Sequence, residues 1–386
     1  MIPYGRQDVT EEDVEAVVKV LRSDFLTQGS NVPEFEQKLC EYTGAQYSVA
    51  VNSCTSALHI ACLSLGLGPG DILWTSPITF VASANCALYC GASVDFIDVD
   101  KDTALINVKA LSIKLDRAKK EGKLPKILIP VHFAGQSCDM RKIYNLSQLY
   151  GFKIIEDAAH SIGGKYYNSP VGSCEYSDIT VFSFHPVKNI TTGEGGAAMT
   201  NSSYYAEKMT LFRSHGITRD PLKMKKKTPQ PWRYEQIELG YNYRMNDIQA
   251  TLGISQLKRL DKYVSRRSDI VKYYNDKFKS MPIDSLIQNK NTMSSHHLYV
   301  ILVRGDKQDR EGLYNYFIKH QVGVNLHYMP IYKHPYYNYN GTFKGAEEYY
   351  NKAISLPIFP NITIDELNIV VDCVKKYFDI NMKKLK

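Results

Sequence analysis

No stretch of this sequence offers the roughly 20 consecutive apolar residues that a membrane-spanning helix needs. The most apolar part, Ile72 to Val94, is broken by Pro77, Asn85 and several hydroxyls. The opening Met1-Ile-Pro-Tyr-Gly-Arg-Gln-Asp8 lacks the apolar centre of a secretory signal, so a cytoplasmic location is expected. Cysteine is sparse and scattered, with eight in 386 residues. The one close pair, Cys86 and Cys90, has no second pair or histidine cluster at metal-ligand spacing. Reduced thiols are expected, and no metal centre. The usual nucleotide signatures are missing too: there is no Gly-x-x-x-x-Gly-Lys-Ser/Thr, and Gly193-Glu-Gly-Gly196 does not open a helix after a strand.

Charge is modestly positive, +7 overall, and partly local: Lys223, Lys225, Lys226 and Lys227 sit together among Pro221, Pro229 and Pro231. That segment reads as a solvated loop. Without interleaved aromatics or a recognisable module it gives no reason to expect nucleic acid.

What is present is an ordinary globular composition, 44% hydrophobic and 23% charged. The length exceeds what one core usually serves, so a large domain and a smaller one are expected, at 1–250 and 251–386. Thr10-Glu-Glu-Asp13 opens a helical pattern as a capping box. Strand-like runs follow at Ser48–Val51, Val94–Ile97, Ile127–Val131, Phe152–Ile155 and Ile179–Phe182, separated by turns or helical patterns, the first helix carrying Ala57, Leu58, Ala61 and Leu65. Short continuous apolar runs alternating with helices predict an α/β chain with a mainly parallel sheet. From Asn246 one long amphipathic pattern runs through Ile248, Leu252, Leu257, Leu260 and Val264. Tyr299–Val303, Gly323–Leu326 and a closing helix over Thr363–Phe378 suggest a small C-terminal α/β domain.

A parallel sheet places ligands at the carboxyl ends of its strands, and the strand ends here are distinctive. Phe152-Lys-Ile-Ile-Glu-Asp157 closes one strand with two acids, and the next run ends Phe182-Ser-Phe-His-Pro-Val-Lys188. Pyridoxal phosphate needs an amine to hold it covalently and a carboxylate to keep its pyridine nitrogen protonated. Lys188 and Asp157 offer both. Asn52-Ser-Cys-Thr-Ser56 opens a helix directly after a strand, presenting backbone N–H groups to a phosphate. Ser183 adds a hydroxyl, Phe80 a flat partner for a ring, and His160 a contact for the ring or its oxygen. Singly, each has an ordinary explanation. Asp157 can cap a turn, Lys188 can be a surface lysine, Phe80 can be core and His160 can be a loop histidine. Their order and shared placement at strand ends favour the cofactor.

With these residues in view, the chain resembles the DegT/DnrJ/EryC1/StrS family of sugar aminotransferases, which have the aspartate-aminotransferase-like fold (fold type I). The likeness rests on Leu26–Gly29, Asn52–Leu58, Pro77–Asn85, Glu156-Asp-Ala-Ala-His160, Phe182–Lys188, Gly193–Gly196, Gly240-Tyr-Asn-Tyr-Arg-Met245 and His327–Pro330. The resemblance implies that Lys188 is the cofactor-holding lysine and proton shuttle, with Asp157 on the pyridine nitrogen and His160 beside the ring oxygen. It implies that Cys54, Thr55, Ser56 and Ser183 hold the phosphate, and that Asn242 reaches it from the other subunit of a homodimer. Tyr4, the segment Asp24, Phe25, Leu26 and Thr27, and the segment His327, Tyr328, Met329 and Pro330 match regions lining a sugar-nucleotide pocket. Within the family, Trp74–Pro77, Ala84–Gly91 and Phe212–Ile217 resemble the branch that aminates a UDP-linked 4-keto-6-deoxy-N-acetyl sugar on the way to pseudaminic acid, with L-glutamate as amino donor. The same scaffold also serves sugar dehydratases, in which a histidine replaces the lysine, and Lys188 argues against that reading. A non-catalytic relative would be expected to have lost part of the set.

Overall fold

The computed structural model describes residues 1–225 and 230–384, the side chains of 381–384 excepted. Seven short strands build its centre. From edge to edge they are Tyr47–Val51, Gly196–Thr200, Ile179–Ser183, Lys153–Asp157, Ile127–Ile129, Ile72–Thr75 and Ser93–Phe96. Neighbours run parallel except Gly196–Thr200, which is antiparallel to both strands beside it. The central strands are buried along almost their whole length, as continuous apolar runs require. The expected fold type I sheet is therefore present, with one reversed strand that the sequence reading did not include. The reversal leaves Tyr47–Val51 pointing the same way as Ile179–Ser183. Asn52, Asp157 and Ser183 consequently sit together at the carboxyl ends of their strands, on one end of the sheet.

The helix Cys54–Ser64 is apolar nearly all round and buried between the sheet and the helices Ala82–Tyr89 and Ser203–Arg213, as a fully covered helix should be. Its start is fixed by Ser53, whose hydroxyl accepts from the Ser56 N–H at 3.1 Å. At the other end Leu65 caps the helix and Gly66 turns the chain at φ 73°. The capping box at Thr10 is also in place, with the Asp13 carboxylate accepting from the Thr10 N–H at 3.0 Å.

A second, three-stranded antiparallel sheet of Ile283–Ser285, Tyr299–Val303 and Ala353–Leu356 packs with the helices Leu260–Phe278, Lys307–Lys319 and Ile364–Lys384. Its apolar cluster includes Ile270, Tyr274, Phe317 and Val370, and also Ile2 from the start of the chain. Ile2 exchanges backbone hydrogen bonds with Gln321 and Gly323 at 2.9 and 2.7 Å, which anchors the segment that bears Tyr4.

Two element expectations are corrected. The single pattern from Asn246 is two helices, Asp247–Leu257 and Leu260–Phe278, parted at Arg259 (φ −108°). The break has a tertiary cause: the Arg259 guanidinium reaches the buried Asp13 carboxylate at 2.5 Å and the Tyr263 hydroxyl at 2.9 Å. The second correction is Gly323–Leu326, which forms no regular strand. It is tied to Ser355 only through Asn325, by paired backbone bonds of 3.1 and 2.8 Å. In the lysine-rich loop, Lys223 pairs with Glu207 at 2.6 Å, while Lys226, Lys227 and Pro229 lie outside the described residues. Among the described residues no helix is long and apolar enough to cross a membrane.

Candidate active site

The strand ends open into a cleft of about 820 Å³. Lining it from the sheet side are Asn52, Ser53, Cys54, Thr55, Ser56, Asp157, His160, Ser183 and Lys188, with Phe80 on the rim. From the second region come His297, Asn325, His327 and Tyr328, and from the start of the chain Tyr4. Residues spread over more than 320 positions thus meet at one place, because the parallel strands deliver their ends together and Ile2 anchors the N-terminal segment opposite.

Asp157 is almost fully buried and held on both oxygens. Ser83, buried in the helix Ala82–Tyr89, donates to Oδ2 at 2.6 Å, and the Ala159 N–H donates to Oδ1 at 3.1 Å. Ser83 in turn lies 2.8 Å from the Thr79 hydroxyl. A carboxylate so fixed and so dry presents one negative charge in a defined direction.

Lys188 follows the strand Ile179–Ser183 by a short loop. Burial lowers its pKa to about 8, against the raising influence of Cys54 and Asp157. Burial pushes the Cys54 thiol itself well up, so Cys54 is neutral near pH 8 and the opposing charge is that of Asp157. The consequence is a measurable pH dependence. The rate at which the apoprotein captures pyridoxal phosphate should rise with pH through about 8 and then level, as amine replaces ammonium, followed by stopped-flow absorbance. A rate still climbing toward about 10.4, the value for a free lysine, would show the amine to be solvated. The folded pKa lies below the unfolded one, so this group adds stability to the apoprotein as pH rises between those two values.

His160 accepts from the Ala134 N–H at Nδ1 (3.3 Å), which leaves its proton on Nε2, 3.1 Å from the Tyr328 hydroxyl. Burial first, and then the neighbouring Lys188 and His327, hold it well below the usual histidine range. It is a neutral neighbour for whatever lies between it and Lys188. His327 is held similarly, down to about 3, by burial and Lys188, and its Nδ1 lies 2.8 Å from the Ser355 hydroxyl.

The fit to a phosphorylated, nitrogen-containing ring can be judged from the chain itself. The first-turn N–H groups of Cys54 and Thr55 have no intrahelical acceptor, and both residues line the cleft at the positive end of the helix. Gly196 backs that turn so closely that a Cβ would stand 2.6 Å from the Cys54 nitrogen. The cradle therefore depends on a glycine. Ser56 is steadied by Asn52, whose Oδ1 accepts its hydroxyl at 2.7 Å. Phosphate donors, one amine and one buried carboxylate converge, which is the donor set that pyridoxal phosphate requires.

A model of the DegT/DnrJ/EryC1/StrS aminotransferase family matches residues 7–375. The chain belongs to this family. It is 38% identical, over 96% of each chain, to the UDP-4-amino-4,6-dideoxy-N-acetyl-beta-L-altrosamine transaminase of Campylobacter jejuni. Among solved structures it superposes on PseC of Helicobacter pylori, an aminotransferase involved in the biosynthesis of pseudoaminic acid, with a TM-score of 0.89 and 32% identity over 98% of this chain and 99% of the other. The PLP form of Spr1654 from Streptococcus pneumoniae matches with a TM-score of 0.87 and 28% identity over 98% of both chains. The protein is thus a pyridoxal-phosphate-dependent aminotransferase of fold type I. When bound, the cofactor supplies an electron-accepting ring on which an amino group is carried from donor to acceptor.

Not every residue expected at the site is brought there within one chain. Asp24 and Phe25 line a separate depression of about 830 Å³ among the helices Glu11–Leu21, Asn31–Thr43 and Asp247–Leu257. Leu26 and Thr27 are exposed beside it, with the Leu26 carbonyl accepting from the Asp247 N–H at 2.9 Å. The Asn242 side chain is exposed and does not line the cleft. Its carbonyl accepts from the Asn52 side chain at 3.4 Å. Met329 and Pro330 flank the lining pair His327 and Tyr328 without joining it. Conversely, Ser83 and His297 were not singled out from sequence. His297 is buried with its ring 4.4 Å from that of His160 and its Nδ1 unpartnered.

Proposed function

We propose that the protein transfers an amino group from L-glutamate to C4 of a UDP-linked 4-keto-6-deoxy-N-acetyl sugar, giving UDP-4-amino-4,6-dideoxy-N-acetyl-beta-L-altrosamine for pseudaminic acid. The observation that carries the reading is full-length similarity to a UDP-4-amino-4,6-dideoxy-N-acetyl-beta-L-altrosamine transaminase and to an aminotransferase involved in the biosynthesis of pseudoaminic acid, joined to a cleft in which Lys188 is the one lysine or arginine among the described lining residues. Lys188 moves the proton between carbon centres, a task suited to an amine whose pKa lies near neutrality. Asp157, locked by Ser83 and Ala159, holds the ring nitrogen in its protonated form. Tyr4, His327 and Tyr328 close the far wall, where the sugar ring would lie.

A homodimer completes the site in this reading. The cofactor phosphate, the donor's two carboxylates and the sugar diphosphate are all anionic, and a single lysine in the cleft of one chain is too few partners for them. Asn242 and the segment Asp24–Thr27, both on the surface, are the groups a second subunit would bring. The eight free cysteines accord with a cytoplasmic setting.

The test is a panel of nucleotide 4-keto sugars offered with glutamate, followed by release of 2-oxoglutarate. The L-arabino UDP-N-acetyl 4-keto epimer is expected to be aminated at least about tenfold more efficiently than the D-gluco epimer, a difference of about 1.4 kcal/mol in transition-state binding. A preference for the D-gluco or a GDP-linked sugar would retain the aminotransferase and replace the sugar.

A further inference from the structure

Behind the cofactor cradle lies a cluster that transamination does not use. Cys86 and Cys90, one helical turn apart on and just beyond the helix Ala82–Tyr89, face Cys62 of the helix Cys54–Ser64 in one apolar cluster. Cys62 and Cys86 are fully buried, and Cys90 is 9% exposed at the helix end. His59, three residues before Cys62 and 4% exposed, stands beside Cys90. Its Nδ1 lies 3.1 Å from the Tyr243 hydroxyl. With that hydroxyl donating, the ring proton is on Nε2, and Nε2 has no hydrogen-bond partner. A buried N–H without an acceptor, next to a thiol, is a donor waiting for a thiolate. Among the described residues no group of three or more His, Cys, Asp or Glu side chains could hold a metal ion, so the cluster is not a metal site.

We propose that Cys90 is a peroxide-reactive thiol and that Cys62 is its resolving partner, the pair forming a reversible disulfide between the two helices. The Cys90 sulfur attacks one peroxide oxygen, the O–O bond breaks, and the leaving hydroxide takes up the proton that the Cys90 thiol gives up, departing as water. The Cys62 sulfur then attacks the resulting S–OH, the S–O bond breaks, and a second water leaves with the Cys62 proton. Two thiols are oxidised by two electrons and one peroxide is reduced to two waters. The electrostatics distinguish Cys90 from its neighbours. The Cys62 S–H, and after it His59, draw the Cys90 thiol down to about 6 against burial, whereas burial drives Cys62 well up. Burial and then Glu36 push the more exposed Cys40 up to about 11. The cross-link would tie the helix bearing the phosphate cup to the helix bearing Ser83.

Two measurements on the holoenzyme test this. Iodoacetamide at pH 7 should alkylate Cys90 at least about tenfold faster than Cys40, the thiolate advantage of Cys90 outweighing both its lower intrinsic nucleophilicity and its burial. Hydrogen peroxide followed by non-reducing peptide mapping should yield a Cys62–Cys90 linked peptide that dithiothreitol removes and that Cys90→Ser and Cys62→Ala lack. Equal or faster labelling of Cys40, no linked peptide, or a Cys62–Cys86 link in its place would each overturn the proposal.

Discussion

Lys188→Ala is expected to abolish both turnover and the visible absorbance that marks covalently held cofactor, with a rate loss of about 10³-fold or more. The size of the effect follows from the cleft. Lys188 is the sole lysine or arginine among the described lining residues, so no neighbouring amine can take its place either as the point of attachment or as the group that moves the proton. Ser183, His160 and His327 cannot substitute: the first lacks a basic group, and burial keeps both histidines far below the range in which they would hold a proton at neutral pH. The variant should still fold, because the stability of this segment rests on Phe184 and Ile190, both buried in the apolar cluster beneath it. It should also still bind pyridoxal phosphate reversibly through the N–H groups at Cys54 and Thr55. Circular dichroism separates a folded, inactive protein from a collapsed one. Residual transamination in a folded Lys188→Ala protein would remove Lys188 from the centre of the mechanism.

The strand-end residues were legible because a buried parallel strand advertises itself as an unbroken apolar run, and the polar residues that follow must lie at its carboxyl end. Asp157, Ser183, Lys188 and the Asn52–Ser56 turn all satisfy that logic. The reversed strand Gly196–Thr200 escaped it because Gly-Ala-Ala-Met-Thr is short, small-sided and preceded by glycines, a composition that reads as loop. The break at Arg259 left no local mark either. No glycine or proline sits there, and the interruption depends on Asp13, 246 positions away. Ser83 and His297 are hidden for the same reason. Ser83 meets Asp157 across 74 positions, and His297 reaches the cleft only after the second region has folded against the first. Periodicity reports what a segment buries, and not which distant group it meets.

Asp157→Asn should leave the protein folded and able to bind its cofactor while lowering the transamination rate by roughly 10²–10³-fold, the scale of one well-placed electrostatic partner. The amide is nearly isosteric: its carbonyl oxygen can accept the Ala159 N–H that now reaches Oδ1 at 3.1 Å, and its NH2 can donate to the Ser83 hydroxyl, which now donates to Oδ2 at 2.6 Å. What disappears is the charge. A neutral amide no longer favours a protonated pyridine nitrogen, and the ring loses most of its power to accept electrons while Lys188 removes a proton. Because the loss is one of charge and not of shape, it should be repaired from the other side. A pyridoxal phosphate analogue methylated on the ring nitrogen is permanently cationic, and it is expected to restore a substantial part of the lost rate in Asp157→Asn while giving no gain in the parent protein. If the analogue restores nothing although it binds, then Asp157 serves to position the ring, and the network from Thr79 through Ser83 becomes the part of the site that governs catalysis.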